Sequence, residues 1–527
     1  MSYDGNIAEM PLGLGGLDAS ENLSSVDITR LIKAFNVEIT DRMIKKEGGT
    51  TNVNSTAISG GPAIVGGCDF WPTTGTQVLV IATSDGKIYK STDGGATLTA
   101  IKTGLGSDKK TVFCEGGSEE AGNEKKLFIF NGNDPVQVLK ASDLTQTTDI
   151  TTPAADWATA QPVKGCVHNG RLWVIKGHFL YGSMITDHED FTTAGSQLFQ
   201  VYSGEGSYLT NMVSIFGRLY LFKYPTGIYY LDDSDNDSTY WGVRKVTGKI
   251  GCAGVDALDY GKNEVAYMSA DGGIHYLSGT DQFGDVKDSD FAALLNIDKY
   301  LKENTRRNRL DRAVLRYNED KKTLYAVYTK SASSRNDLIV KINFEDIQVP
   351  KASITTKDDC ESIWLAVDST SKITKTQLGS SNGFIADDNQ SNENVNGVAY
   401  TGHFQLPHTD LTWLDSSLGA KNKQFDFLEL HFNPLPDTAY NLTCVVYIDG
   451  AYYQTLTFNM ATDAATLDSF VLDTDQLYSG VVQVKRLPLY GYGRRISLEF
   501  YNSGLNQGFE VFKAYLSFRV GDEGVIK

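Results

Sequence analysis

From about residue 60 onward the apolar positions come in short runs separated by glycine-centred turns, which predicts hairpins rather than helices. In VLVIATSDGKIY (78–89) a run of strand formers meets a turn at Asp85-Gly86, and a second strand opens at Ile88-Tyr89. The pattern recurs in GRLYLFKYPTGIYYL, where the second strand opens at Ile228-Tyr229 after Gly227, and in EVAYMSADGGIHYL, where it opens at Ile274-His275 after Gly273. Each copy has an apolar partner seven residues earlier: Ile81, Leu221 and Tyr267. Weaker copies are anchored at Val136, Leu180, Ile339 and Ile385, so that successive anchors are 48, 44, 48, 46, 65 and 46 residues apart. A unit near 46 residues holds about four short strands, the size of a propeller blade, and a ring of blades hides its sheet edges. The fold expected is all-β, with a β-propeller over 60–392 of about seven blades, six or eight remaining open if a unit is split or missed.

The 65-residue step has its own pattern. DSDFAALLNIDKYLKENTRRNR places Phe291, Leu294 and Leu295 on one helical face, with Asp288 or Ser289 as N-cap, so a helix from about 290 to 303 is expected inside an insert at 288–305. Beyond 393 the rhythm shortens: FDFLELHF, NLTCVVYIDG, YYQTLTF, DSFVLDT, VVQVKRLPLYGYGRRISLEFYNS and FEVFKAYLSFRV read as strands. Alternation in Leu428-Leu430-Phe432 and Ile496-Leu498-Phe500 gives each strand one buried face, the pattern of a β-sandwich of jelly-roll type over 393–527. Residues 1–59 read as an extended arm with a short strand, too poor in apolar residues for a core of its own and expected to dock on a neighbouring chain.

Composition narrows the function. Lys plus Arg number 48 against 65 Asp plus Glu, a net charge of −17, which argues against a surface that embraces phosphates. No stretch approaches the roughly 18 consecutive apolar residues of a membrane helix, and the N-terminus lacks the basic start and apolar core of a secretion signal. The six cysteines are at least 46 residues apart, without C-x-x-C pairs, and read as small reduced core residues of a protein assembled in the cytoplasm.

Candidate chemistry is sparse. STDGGATL, with Ser91, Asp93, Gly95 and Thr97, matches the Asp-box turn of sialidases and related propellers, with Leu98 where an aromatic residue is usual; there the turn is a folding element. A glycan-cleaving propeller would need an arginine cluster, a tyrosine nucleophile with a supporting glutamate, and an aspartic acid at the axis, and no motif assembles that set. The seven histidines show no zinc spacing, so no metal is expected from them. DDSDNDS offers Asp233, Asp235 and Asp237 in D-x-D-x-D order, but the following glycine and distal glutamate of a calcium loop are missing. PLGLGG lacks the strand-to-helix context and lysine of a phosphate loop. No cofactor and no catalytic residue is assigned. Arg306, Arg307, Arg309, Arg312 and Arg316 form a basic run that reads either as solvated or ion-paired side chains, or as a contact with a neighbouring subunit or DNA.

Two terminal segments carry a resemblance. PLGLGG followed by LIKAFNVEITDRMIKKEGG, with Ala34, Asn36, Val37, Lys45, Lys46, Gly48 and Gly49, resembles the opening of tail-hub and nozzle proteins (tail tubular protein B-like) of short-tailed bacteriophages. GYGRRISLEFYNSGLNQGFEVFKAYLSFR, with Gly491, Gly493, Arg494, Asn502, Gly508, Phe509 and Phe512, resembles their closing strands. Glu47 departs from the pattern, an arginine being commoner there. The resemblance implies a non-enzymatic virion protein: a homo-oligomeric ring, commonly a hexamer, below the portal and adaptor, retaining genomic DNA and conducting it during ejection without sequence-specific binding. A receptor-binding or other virion β-protein, and a sialidase-like propeller, are the alternatives. Like charge between bore and phosphates would let DNA slide, so carboxylates are expected at the lumen, with Asp232, Asp233, Asp235, Asp237, Asp358, Asp359, Asp387 and Asp388 as candidates.

Overall fold

A computed structural model describes residues 6–521, apart from 21–25, 74–75, 118–123, 203, 205, 262–263, 280–285, 347–348, 369–370, 389–390, 392, 436–439 and 462–481. The strand expected at 468–474 lies outside the described residues.

Seven four-stranded antiparallel units succeed one another: 64–102, 112–149, 164–200, 208–247, 258–290, 314–355, and 362–388 completed by Thr50–Asn52. They are blades 1 to 7 of a propeller. The strands alternate or bury both faces as their position demands; in the second strand of blade 1, Val78 to Ala82 are all buried. The hairpins at Asp85-Gly86, Thr226-Gly227 and Gly272-Gly273 each join the second and third strands of a blade. Gly86 has φ +76, and a Cβ there would lie 2.0 Å from the Leu105 carbonyl oxygen, so the turn requires glycine. The first strands of neighbouring blades lie against one another except between blades 4 and 5, and Ser362–Val367 of blade 7 lies against Ile64–Thr73 of blade 1, closing the ring. Blades 4 and 5 meet through Phe222 and Tyr267, whose ring centroids are 5.2 Å apart.

The closure corrects the expected boundary at 60. The chain leaves blade 7 after three strands, and the fourth is Thr50–Asn52, registered Thr51 to Asp387. The outermost strand is thus supplied from the far end of the chain, which ties the ring shut.

The second unit packs two sheets face to face. In one, Gly402–Gln405, Ile496–Asn502, Asn441–Ile448 and Ala451–Asn459 lie side by side; in the other, Glu510–Val520, Lys423–Phe432 and Gln483–Gly493 do. Among the described strands, Asn441–Ile448 and Ala451–Asn459 form a hairpin within the first sheet, and the other successive strands lie in opposite sheets. Phe404 and Phe500 stack at 4.9 Å, and Phe509 joins them from the opposite layer. The first sheet is continuous with blade 6, because Lys33–Phe35 pairs in parallel with Lys351–Thr355 and antiparallel with Gly402–Gln405.

The arm therefore differs from its expected role. Asn6–Met10 pairs with Glu510–Val520, and Ile44–Lys46 continues along the same edge. Ala8, Met10, Leu12, Leu17, Leu31, Ala34, Val37, Ile39 and Ile44 are buried within the chain's own core. These apolar residues are too scattered to form a separate core, but each one fills a gap between strands of the same chain.

The insert is also corrected. Instead of one helix there are two short ones, Phe291–Leu294 and Asp298–Asn304. Asn296, at φ +58, breaks the run between them, and Asp290 caps the first by accepting from the Ala293 N–H at 2.9 Å. Asp288 instead takes the Tyr267 hydroxyl at 2.6 Å. Leu295, Ile297 and Leu301 are buried, whereas Leu294 is 63% exposed.

Candidate functional site

Some of the residues marked by the resemblance at the two chain ends meet around Lys46. Lys46 Nζ donates to Asn502 Oδ1 at 3.0 Å and to the Gln507 carbonyl at 2.8 Å, and lies 4.4 Å from the Tyr400 ring centroid. Burial pushes its ammonium down to about 8. Asn36, at φ +52, donates from Nδ2 to the Thr401 carbonyl and accepts from the Thr356 N–H, both at 2.8 Å. The Lys46 N–H donates to the Phe509 carbonyl at 3.0 Å, and a Cβ on Gly402 would touch Lys46, Asn36 and Phe509 at once. Gly491 and Gly493 are needed where a Cβ would fall 2.2 Å and 2.3 Å from Ile448.

Beside this knot lies a buried charge cluster. Glu47, the departure from the pattern, pairs with Lys341, lies 3.5 Å from Lys357, and accepts from Thr355 Oγ1 at 2.6 Å. Lys341 also lies 3.3 Å from Asp388, and Lys357 lies 2.6 Å from Asp358, which in turn accepts from Thr50 Oγ1 at 3.0 Å. Burial alone would neutralise these groups; the alternation of charges holds Asp388 below the ordinary carboxylate range and Lys341 above the ordinary amine range. Chain start, blade 6 and blade 7 are thereby joined through one ionic cluster.

A second cluster spans the propeller axis. First strands of all blades run in one sense, so their starting ends share one face. There Asp256, ahead of blade 5, pairs with Arg316 of blade 6 and with Lys110, ahead of blade 2, at 3.0 Å. Lys164 of blade 3 donates to the adjacent Val255 carbonyl at 3.0 Å. Burial would raise the Asp256 carboxyl, but Arg316 and Lys110 prevail and hold it at about 2. Asp108, between blades 1 and 2, takes Arg312 and Arg335, each at 3.1 Å. Cys68, Cys114 and Cys166 lie in the first strands of blades 1, 2 and 3, and burial raises all three thiols above the ordinary range, which keeps them protonated.

These clusters relocate several candidates. Asp358 and Asp388 are buried among lysines and do not present carboxylates to a lumen. Arg312 and Arg316 are engaged within the chain, and Arg306 donates to the Ser333 carbonyl at 2.8 Å; Arg307 is exposed and Arg309 half-buried. Sequence distance hid these pairings, since Arg312 and Asp108 are 204 residues apart. The D-x-D-x-D carboxylates diverge: Asp233 faces His168 Nε2 at 3.1 Å, Asp235 accepts from the Asp237 N–H and Asp237 from the Thr239 N–H, both at 2.9 Å. Among the described residues no group of three or more His, Cys, Asp or Glu is placed to hold a metal ion. Asp232 pairs with Arg244 at 2.6 Å, Asp387 accepts from Gln377 Nε2 at 2.9 Å, and exposed Asp359 accepts from Ser381 Oγ at 2.7 Å. The Asp-box serine and aspartate bond each other at 2.5 Å, and the Thr97 N–H donates to Asp93 at 2.9 Å, which makes the motif a self-contained turn.

No protein-family model and no curated protein matches the chain. Among solved structures, the β-propeller domain of Cps50 (Swd1) from Myceliophteria thermophila aligns with 64% of this chain and 98% of its own, at 10% identity and a TM-score of 0.39. BBS1N, solved in complex with ARL6DN, aligns with 66% and 97% at 11% identity and a TM-score of 0.41. YCF48 from Cyanidioschyzon merolae aligns with 64% and 98% at 9% identity and a TM-score of 0.39. Likeness at this level says nothing of what the chain does.

Proposed function

We propose that the chain is a structural subunit of the tail of a short-tailed phage, of the nozzle or hub type, which forms a homo-oligomeric ring below the portal and adaptor and holds and conducts DNA during ejection. The observation that carries this reading is the knot at the chain ends. Lys46, singled out by the resemblance at one end, bonds to Asn502 and Phe509, singled out at the other, across more than 450 residues of chain. Glu47 keeps the same logic, since two lysines answer it.

In this reading the protein contributes shape and charge rather than chemistry. DNA runs through the bore that the copies enclose between them, because the propeller's own axis is bridged at Asp256. The exposed acids Asp235, Asp237 and Asp359 are the remaining lumen candidates, and Arg307 the remaining basic contact to a neighbour. Negative-stain imaging of the purified protein tests the proposal: closed rings of uniform order are expected, and a population of single particles at every concentration and salt would count against it.

A further inference from the structure

Between blades 5 and 6 lies a cleft of about 470 Å³, lined by Asp259, Gly261, Glu264, Ala266, Tyr276, Phe291, Tyr317, Glu319, Lys322, Leu324, Phe344 and Glu345. Its volume falls in the range of small-molecule sites, roughly 300 to 1,000 Å³. Two features of the lining define what it would accept. The first is an aromatic wall: Tyr276 meets Phe291 at 5.0 Å and 70°, Phe291 meets Phe344 at 5.7 Å and 80°, and Tyr317 meets Phe344 at 6.3 Å and 83°. Ring faces carry the negative side of the quadrupole, so a wall of four aromatic rings favours a cation over an anion.

The second is charge. Four carboxylates line the cleft against one lysine, Lys322. Asp259 is committed internally, accepting from the Tyr317 N–H at 2.7 Å. Glu264 receives the Tyr276 hydroxyl, which fixes its carboxylate beside the wall. Elsewhere in the molecule ring faces are taken by the chain's own cations, Lys46 over Tyr400 at 4.4 Å and Arg218 over Tyr230 at 4.4 Å. None of the four cleft rings has such a partner among the described residues.

We propose that this cleft binds a small organic cation, an alkylammonium whose head rests on the aromatic wall and whose charge is answered by Glu264 and Glu319. An anion would meet four carboxylates, and a neutral apolar molecule would leave Glu264 desolvated without compensation. A quaternary or primary ammonium satisfies both surfaces together, by cation–π attraction and by charge pairing. The assignment is independent of the tail reading.

The experiment uses the full-length protein and two probes of the same shape, choline and its uncharged carbon isostere 3,3-dimethylbutan-1-ol, in calorimetric or NMR titrations. Choline is expected to bind at least about tenfold more tightly than the isostere. The double substitution E264Q/E319Q is expected to weaken choline about tenfold, and Phe344→Leu to weaken it by a similar factor, with the melting temperature of each variant measured alongside. Equal binding of the two probes by the unaltered protein, or no choline binding up to about 10 mM, would overturn the proposal whatever the variants do. So would a folded double variant that binds choline as the parent does.

Discussion

Blades 2 to 5 and the sandwich are made of the same kind of strand, but the chain travels very different distances to complete them. Each of these blades is one continuous stretch, 112–149, 164–200, 208–247 and 258–290, in which every strand pairs with its predecessor. The sandwich joins Asn6–Met10 to Glu510–Val520 and Lys33–Phe35 to Gly402–Gln405, and blade 7 waits for Thr50–Asn52. Local pairing leaves a periodic trace in the sequence and closes small loops; pairing of chain ends leaves none and makes propeller and sandwich depend on the same first fifty residues.

The sharpest break of that comparison is removal of residues 1–49. It takes away the strands that border Glu510–Val520 and link blade 6 to the sandwich, so no cooperative melt and mostly insoluble protein are expected, where an arm docked on a neighbour would leave a soluble fold. Next comes Lys341→Met, which strips Glu47 and Asp388 of their shared cation; about 3 kcal/mol of stability should be lost, read by denaturant unfolding. Gly86→Ala tests a blade alone. The positive φ and the clash with the Leu105 carbonyl predict a loss of about 2 kcal/mol, with faster amide exchange confined to blade 1.

The axial cluster gives a pH dependence. Asp256 titrates at about 2 in the folded chain and near 3.9 when unfolded, so the unfolded state binds its proton first as pH falls. Its contribution, about 2.6 kcal/mol, is complete above roughly pH 5 and is lost as the pH falls from about 4 to about 2. Unfolding curves across that window, compared with Asp256→Asn, isolate it: the variant's own pH slope there should be shallower. Smallest of all is Arg244→Ala, which breaks only a surface pair with Asp232 and should cost less than about 0.5 kcal/mol.

How much of this was legible follows from the same comparison. The anchors Ile88, Leu180, Ile228, Ile274, Ile339 and Ile385 all fall in the third strand of their blades, and Val136 directly precedes one. Seven units could therefore be counted from periodicity. Thr50–Asn52 could not be found that way, being three residues with no apolar alternation; the signal that existed was arithmetic, a last blade one strand short. The charged candidates failed for a related reason. A carboxylate reads the same in sequence whether it faces solvent or a lysine, and Asp388 meets Lys341 across 47 residues and Arg316 meets Asp256 across 60. The helix was overextended because periodicity cannot register that Asn296 turns left-handed. The cation cleft draws on residues from 259 to 345 in two blades, a spacing that no motif records.

The proposed ring and the bridged axis together make a single structural claim about where DNA goes, and cryo-electron microscopy of intact particles with the genome retained in the tail tests it directly. The account predicts a closed ring of copies with DNA density in the bore between them, acids such as Asp235, Asp237 or Asp359 facing that density, and each propeller axis bridged at Asp256. DNA density along a propeller axis, or a bore walled mainly by lysine and arginine, would contradict it.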